Sequence, residues 1–494
     1  MITLPAQINV KKSILFIALC ACLSLFLYVQ KDTIKSSSAF NHYARPQNAL
    51  LEQQGKFWQH LIVDLEHHAP NVPLLNHPEG KHLEISFNAS DHRNRSDYLS
   101  MTVAQWEALG KAHAAFIESL HSRDYSLPYK VGTRGIVTTA GGAYLPVALV
   151  SIRMLRETGS ELPVEVFLST WSEWDPVICS KIFPSLNARC VVLQDIFDYD
   201  KKTKRYGIEK YQYKVMSILF SSFEEVLFLD SDSFPIHKAN DLFESEPFLS
   251  TGLVLWPDFW FPSESFLFFQ IAAIQEPKVY ERASTEAGEI LYSKPRHESS
   301  LLLAAYYNYY GPSYYYPLMS QGAPGEGDKE TFLWSAIAMG KPFYHVNTGV
   351  RALGYQTKKG DWRGSAMAQF DPMQDFYLNP EEAEEAAAEN KTYPRPYFTH
   401  INFPKLDPGQ IFDSESFGAQ GPTKDTDQHM RRIWFDDAGT AVNFFGFDLE
   451  KLVWKIVREI ACEYEGLIAS WKGKKDICKK ATTYWNTVFK EVPV

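Results

Sequence analysis

Short apolar runs alternate with amphipathic runs in the first half of the chain, and this alternation leaves few folds open to it. Residues 135–139, 163–168 and 225–229 are brief and apolar, as buried strands are, whereas 145–157 and 211–221 have helical spacing. Strands that alternate with helices in this way predict an α/β fold on a mostly parallel sheet with flanking helices. Ligands of such sheets bind beyond the carboxyl ends of the strands.

An acidic triplet, Asp230-Ser231-Asp232, follows directly on the third of these strands. Two carboxylates placed two residues apart at a strand end can face one hard divalent cation such as Mg²⁺ or Mn²⁺. The same pattern also occurs simply as a turn after a strand, and the remaining ligands of an EF-hand are missing. His400 follows another strand-like run and is either a structural histidine or a third, neutral ligand. The triplet predicts a metal site formed by Asp230, Asp232 and His400.

A glycine-rich turn at 138–144 joins the first strand to the first helix. Its amides and the helix N-terminus can hold a phosphate, although the turn is neither GxGxxG nor a P-loop. Lys214 precedes the metal strand and is either a counterion for a phosphate or an ordinary surface lysine. Together with a metal on the same edge, the turn predicts a bound nucleoside diphosphate. The residues expected to hold it are Thr138, Thr139, Gly141, Gly142, Lys214, Asp230 and Ser231.

Two further acids, Asp328 and Glu330, precede an apolar run at 331–339 that has the character of a helix. Acids at a helix start ordinarily cap it. Alternatively, they bind sugar hydroxyls or stabilise positive charge at a sugar carbon, and they then act as catalytic residues with Asp230 and Asp232. The aromatic stretch 306–316 is expected to pack in the core rather than to stack on a sugar.

The N-terminal region contains 17 uncharged, mostly apolar residues at 13–29, preceded by Lys11 and Lys12. A helix of that length spans about 26 Å, close to the thickness of a bilayer core. The alternative is a cleaved signal peptide, but the run is long for one and no small-residue cleavage site follows. We therefore expect a retained signal-anchor at 13–30, a cytosolic tail at 1–12 and the rest of the chain across the membrane.

Beyond the anchor, residues 31–105 are polar and broken, which is typical of a stem, although 50–65 has helical spacing. The folded body is expected at 106–494. The net charge of −10 argues against a nucleic-acid partner.

Four cysteines and three glycosylation sequons lie on the side predicted to be lumenal. An even number of cysteines in an oxidising compartment suggests two disulfides, for which three pairings exist. The local pairings, Cys179–Cys190 and Cys462–Cys478, close the shortest loops and are favoured. The sequons predict glycosylation at Asn88, Asn94 and Asn390.

Four long motifs resemble those of the fungal Golgi mannosyltransferases of glycosyltransferase family 71. They are GIVTTAGGAYLPVALVSIRMLR at 135–156, YQYKVMSILFSSFEEVLFLDSDSFPI at 211–236, GDKETF at 327–332 and FTHINFPK at 398–405. The run GVRALGYQTKKGDWRGSAMAQFDPMQDF at 349–376 is most similar to the α-1,2-mannosyltransferases that begin branches on N-glycan outer chains.

This resemblance implies a lumenal catalytic domain of the GT-A fold, with GDP-mannose as donor and Mn²⁺ on Asp230, Asp232 and His400. It implies that the 136–144 turn and Lys214 contact GDP, and that Asp328 and Glu330 line the mannose and acceptor side. The implied setting is the Golgi membrane and the implied acceptor is a mannan or N-glycan; a complex with other Golgi mannosyltransferases is one further expectation. Retention of configuration by same-face attack is the expected mechanism, and a covalent intermediate on Asp328 or Glu330 is the alternative.

Three other interpretations stay open at this point. An α-1,3-mannosyltransferase of the same family would act on N- or O-linked mannans. A non-catalytic mannan-binding protein of the Golgi would retain the fold without turnover. A soluble secreted hydrolase would require removal of the N-terminal segment.

Overall fold

The computed structural model describes residues 49–490 apart from 77, 79–83, 124, 200–206, 326, 358, 390, 413–429 and 436. The predicted signal-anchor at 13–30 and the sequon at Asn390 lie outside these residues. Among the helices that are described, none combines the length and the apolar character that a membrane span needs.

In the part of the chain that the structure describes, eleven strands form two sheets. In chain order they are β1 Lys130–Thr139, β2 Val164–Leu168, β3 Ala188–Val192, β4 Phe223–Leu229, β5 Ser233–Pro235, β6 Leu253–Pro257, β7 Thr285–Ser293, β8 Tyr344–His345, β9 Arg351–Gln356, β10 Trp362–Phe370 and β11 Pro396–Ile401. The larger sheet has the order β3-β2-β1-β4-β7-β6-β8, and the smaller has the order β5-β11-β10-β9.

The larger sheet is mixed but mostly parallel. Strands β3, β2, β1 and β4 pair in parallel, β7 runs antiparallel between β4 and β6, and β6 pairs in parallel with β8. The smaller sheet is antiparallel throughout. The predicted α/β class and mostly parallel sheet are confirmed.

Helices cover both faces of the larger sheet. In chain order they are α1 49–67, α2 Val103–Ser122, α3 Leu145–Glu157, α4 Phe183–Ser185, α5 Leu193–Phe197, α6 Gln212–Phe220, α7 Phe248–Thr251, α8 Phe266–Ile271, α9 Glu298–Tyr309, α10 Tyr316–Ser320, α11 Thr331–Ala338, α12 Pro372–Phe376, α13 Pro380–Ala388, α14 Ala438–Phe445, α15 Leu449–Tyr464 and α16 Ile477–Val488. Helix α3 matches its predicted bounds, and α6 lies within one residue of its own at each end.

Alternate residues of the central strands point into two cores, one on each face of the sheet. On one face, Leu227 and Leu229 pack with α3 and α15. On the other, Val226 and Phe228 pack with α1, α2, α6, α9 and α11. The aromatic stretch belongs to this second core, since Tyr306, Tyr307 and Tyr315 are fully buried there, as expected.

The predicted stem requires a correction, because its described residues from 49 onward pack on the body. Trp58, Leu61 and Leu65 of α1 are buried in the second core, which explains the helical spacing of that segment. Farther along, Arg95 donates to the buried carboxylate of Glu264 at 2.8 Å. The folded body therefore includes segments on the N-terminal side of residue 106.

The two favoured disulfides, Cys179–Cys190 and Cys462–Cys478, are both present. The first joins the helical turn Ile178–Ile182, which precedes α4, to β3, and the second joins α15 to α16. The side chains of Asn88 and Asn94 lie on exposed residues, as glycosylation would require. Their modification stays a prediction.

Candidate active site

A pocket of about 400 Å³ opens where β1, β2 and β4 reach their carboxyl ends. The acidic triplet and the glycine-rich turn both meet there, at the edge that binds ligands in parallel sheets. Seven of the predicted site residues line the pocket: Thr139, Gly141, Lys214, Asp230, Ser231, Asp232 and His400.

Hydrogen bonds fix the turn that carries the two carboxylates. The Asp230 amide donates to the carbonyl of Gly288 on β7 at 2.9 Å, and the Ser233 amide donates back to the Asp230 carbonyl at 3.0 Å. The Ser151 hydroxyl, on α3, donates to the Ser231 carbonyl at 2.7 Å. Because β4 ends just before the triplet and β5 begins at Ser233, the carboxylates lie at the seam between the two sheets.

Strand β11 brings His400 to this seam. His400 lies opposite Ser233 in the pairing of β11 with β5, and its Nε2 is 3.2 Å from Oδ1 of Asp232. One ligand atom from each of Asp230, Asp232 and His400 lies within 4.8 Å of the others. Two carboxylate oxygens and an imidazole nitrogen suit a divalent cation and leave positions for substrate oxygens. The structure thus assembles the predicted ligand set.

Lys214 is a counterion within the site rather than a surface lysine. Its Nζ lies 3.2 Å from Oδ1 of Asp230, and its side chain is 11% exposed. It also donates to the Ala287 carbonyl at 2.6 Å. Burial disfavours the charged ammonium, but the carboxylates of Asp230 and Asp328 raise the pKa of Lys214 above its ordinary value. The site therefore carries a fixed positive charge beside the metal ligands.

Lys405 is a second cation at the site, and it was not among the predicted site residues. Its Nζ donates to Oδ2 of Asp232 and, at 3.0 Å, to the Ile401 carbonyl. Burial opposes the ionised carboxylate, but His400 and Lys405 lower the pKa of Asp232 below its ordinary value. The available signal was the position of this lysine, five residues after His400 in the same run.

Two buried glutamates on β7 stand behind His400, and they too were not foreseen. Oε1 of Glu286 lies 3.4 Å from Nδ1 of His400, the ring nitrogen that does not face Asp232. The Ser233 hydroxyl donates to Glu289. Burial opposes ionisation of both acids, but His400 lowers the pKa of Glu286, whereas burial and the charge of Glu286 raise that of Glu289. The signal in the sequence was the pair of acids within the segment TEAGEILYS, which forms a strand buried along its whole length.

Asp328 and Glu330 lie on one 3₁₀ turn but face different surroundings. Oδ2 of Asp328 is 3.9 Å from Nζ of Lys214, and burial raises the pKa of Asp328 to about 6. Glu330 instead accepts the Thr285 amide at 2.7 Å and lies 3.6 Å from Arg282. Neither acid lines the pocket: both are buried, and the oxygens of Glu330 hold the start of β7. A catalytic role for either acid stays a prediction.

The glycine-rich turn is divided between the pocket and the interior. Thr139 and Gly141 line the pocket, and α3 begins at its rim after the short turn Gly142–Tyr144. Thr138 is 4% exposed and lies against a small cavity behind the turn. Gly142, with a φ of 55°, is not part of the lining. Two of the four predicted turn residues are therefore placed for contact with a ligand.

Known proteins similar to this chain include fungal enzymes that match most of its length. A family profile described as “Mannosyltransferase putative” matches residues 133–284 and 278–371. The α-1,2-mannosyltransferase MNN21 of Candida albicans is 32% identical over 87% of this chain and 74% of its own. The α-1,2-mannosyltransferase MNN2 of Saccharomyces cerevisiae is 29% identical over 93% of this chain and 89% of its own.

Among solved structures, the galactosyltransferase LgtC in complex with donor and acceptor sugar analogues overlaps 43% of this chain and 73% of its own, at 13% identity and a TM-score of 0.28. That score is too low to establish a shared fold, so the assignment rests on the sequence relatives. Their identity and coverage are sufficient for it: the chain belongs to the fungal mannosyltransferases of glycosyltransferase family 71.

Proposed function

We propose that the protein is an α-1,2-mannosyltransferase that transfers mannose from GDP-mannose to mannan or N-glycan outer chains, with Mn²⁺ at Asp230, Asp232 and His400. The observation that carries this proposal is the match to relatives named α-1,2-mannosyltransferases over most of both lengths. The pocket supports it, because it joins a three-ligand site to a glycine-rich turn on one sheet edge.

The chain's own residues supply charge where a diphosphate departs. Asp230, Asp232 and His400 would hold the cation, which would supply Lewis-acid stabilisation of the negative charge on the diphosphate. Lys214 adds a fixed positive charge 3.2 Å from Asp230, and the N-terminus of α3 lies at the same rim. Preorganised charge of this kind usually gives the largest share of an enzyme's rate enhancement.

Retention of configuration follows from the substrates, since donor and product are both α-mannosides. The acceptor oxygen attacks on the face from which the diphosphate departs. The bond from the anomeric carbon to phosphate breaks, the bond to the acceptor forms, and the departing phosphate oxygen takes the acceptor proton. We assign mannose binding to Asp328, and its position 3.9 Å from Nζ of Lys214 supports that assignment.

The setting proposed for this reaction is the Golgi lumen, with a GT-A body tethered by a signal-anchor at 13–30. Apolar length and the two preceding lysines support the anchor. Alkaline extraction of fungal membranes tests it, because an anchored protein stays in the pellet and a peripheral one is released.

The activity is tested with the full chain, GDP-mannose, Mn²⁺ and an α-1,6-linked mannan acceptor. The product is digested with mannosidases of known linkage specificity. We expect a new mannose that an α-1,2-specific mannosidase removes, and no product with EDTA or in Asp230→Asn. The matched control is Glu384→Gln, an acid-to-amide change on the exposed surface of α13, which should leave the rate unchanged.

Other outcomes separate the remaining interpretations. An α-1,3-linked product would retain the metal site but overturn the linkage. Transfer that continues in EDTA would contradict the proposed dependence on a divalent cation. Mannan binding without transfer of any sugar would favour the non-catalytic protein.

A further inference from the structure

The end of the pocket remote from the metal ligands is lined by apolar and aromatic side chains. The strand order β3-β2-β1-β4 puts the ends of β2 and β4 two strand spacings apart, which is about 10 Å. Phe167 and Leu193, from β2 and α5, line the remote end. Tyr144 and Tyr211 also line the pocket and are 50% and 44% exposed. Aromatic and apolar walls of this kind suit a planar base.

One carboxylate faces this apolar end. Glu173 is the only acid, apart from Asp230 and Asp232, among the described residues that line the pocket. It belongs to the turn Trp171–Glu173, which follows β2. The pocket therefore has an acidic group at each end. Among the lysines that the structure describes, Lys214 and Lys405 bond to the group formed by Asp230 and Asp232, and none bonds to Glu173.

Glu173 is held in place before any ligand arrives. Its Oε2 accepts the Ser169 amide at 2.8 Å. The turn is also tied to α5, because Trp171 Nε1 donates to Asp195 at 2.7 Å. The carboxylate lies over Gly141, where a Cβ would stand 2.4 Å from its Cδ atom. Glycine at 141, whose φ of −161° is ordinary extended backbone, therefore leaves the space that the carboxylate uses.

We propose that Glu173 selects guanine as the base of the donor nucleotide, an inference that rests on the proposed function and its guanosine diphosphate donor. Guanine presents two adjacent donors, N1–H and the 2-amino group, which one carboxylate accepts together. Uracil offers one donor between two acceptors, and adenine places an acceptor beside its amino group. Neither base can satisfy a carboxylate in this way.

The distance along the sheet agrees with this assignment. With the diphosphate at the metal ligands after β4, the nucleoside crosses the Gly141 turn after β1 and its base reaches Glu173 after β2. Inosine diphosphate lacks the 2-amino group and is the matched ligand for testing the contact. The 2′-deoxy form of GDP tests whether Glu173 holds the ribose hydroxyls instead.

The experiment measures binding of GDP, IDP, UDP and 2′-deoxy-GDP to the full chain in Mn²⁺ by titration calorimetry. We expect wild type to bind GDP about 10- to 100-fold more tightly than IDP or UDP, as loss of a hydrogen bond to a charged group implies. In Glu173→Gln, the GDP-to-IDP ratio should fall to within about 3-fold, with UDP affinity unchanged. Glu157→Gln, at the exposed far end of α3, is the matched control.

A second variant reaches the same contact without altering the carboxylate. In Gly141→Ala, the new methyl group displaces Glu173, so the preference for GDP over IDP should fall there as well. Each variant tests the contact by itself, so the inference stays falsifiable if the other folds poorly.

Two results would overturn the inference while leaving the donor intact. In one, the GDP-to-IDP ratio stays at its wild-type value in Glu173→Gln. In the other, only the ratio of GDP to its 2′-deoxy form collapses, which would assign Glu173 to the ribose. Wild type that prefers UDP to GDP would instead overturn the donor of the proposed function, and the inference with it.

Discussion

At Gly288, a single hydrogen in place of a side chain makes room for His400. A Cβ at this position would stand 2.6 Å from Nδ1 of His400 and 2.9 Å from Oε2 of Glu286. Gly288→Ala therefore shifts the imidazole while every metal ligand remains in the chain. We expect Mn²⁺ affinity to fall about 10- to 100-fold, as when groups that orient metal ligands are changed. Calorimetric titration with Mn²⁺ measures it.

Gly349→Ala is the matched control, because an added Cβ there meets nothing within 4 Å. Its Mn²⁺ affinity should equal that of wild type. If Gly288→Ala also binds Mn²⁺ with wild-type affinity, then His400 is not a ligand of the bound ion.

Glu450 makes the stability of the fold depend on pH. Its Oε1 accepts the Ile433 amide at 2.7 Å, and burial raises the pKa of Glu450 to about 8. The unfolded value is about 4.3, so the folded state binds the extra proton between these two values. Stability from this group is fully present below about pH 4.3 and is lost as pH rises towards 8.

Glu450→Gln removes this loss, because an amide keeps the acceptor and does not ionise. We expect the free energy of unfolding of the variant, relative to wild type, to rise by about 1–3 kcal/mol between pH 5 and pH 8. Urea unfolding at several pH values measures the difference. A difference that is flat with pH would show that Glu450 is already ionised in the fold.

Individual site residues were predictable where local sequence carries the chemistry. Asp230 and Asp232 stand at a strand end, and that local pattern sufficed. Lys405 and Glu286 were missed because they reach the site through pairing of distant strands, and one sequence does not contain that register. Asp328 and Glu330 were both expected at the site, but the buried 3₁₀ turn that carries them adds neither to the pocket lining.

Among elements, the helices and the parallel strands were easier to predict than the smaller sheet. The hydrophobic pattern within one segment is enough to predict α3 and β2, and both lie close to their predicted bounds. Strands β5, β9 and β10 lie in segments without clean alternation, and only β11 had been recognised as a strand-like run. All four are held by pairing within the smaller sheet, which the local sequence does not reveal.

The link between α15 and α16 is expected to contribute strongly to stability. Cys462 and Cys478 close a loop with a sequence separation of 16. Replacing both by serine should lower the free energy of unfolding by about 3 kcal/mol, since the cross-link restricts the unfolded chain. Urea unfolding measures the loss. Wild type with only this bond reduced should match the double variant, and equal stability before and after reduction would contradict the prediction.

For the whole molecule, the main revision concerns where the folded body begins. The polar composition of 31–105 suggested a stem, yet the apolar side chains of α1 form part of the second core of the larger sheet. A chain that begins at residue 106 exposes that face and is expected to aggregate, whereas one that begins at 49 should fold. Soluble yield and cooperative unfolding of the two chains test this expectation.

A substitution at Trp58 measures how much the packing of α1 contributes to the free energy of unfolding. It is fully buried, so Trp58→Ala should lower the free energy of unfolding by about 3–5 kcal/mol. Val63, on the same helix, is 62% exposed, and Val63→Ala should change it by less than about 0.5 kcal/mol. Equal effects of the two substitutions would show that α1 does not pack on the body in solution.

The meeting of the two sheets has a consequence for how the site can be observed. The amide of Ile401 donates to the carbonyl of Asp232 at 2.9 Å, so solvent deuterium replaces its hydrogen only when the seam opens. The exchange rate of that one amide thus reports how often the seam is open, and so how firmly the ligands are assembled without any substrate. It would distinguish a site built in advance from one that forms only when its cation arrives.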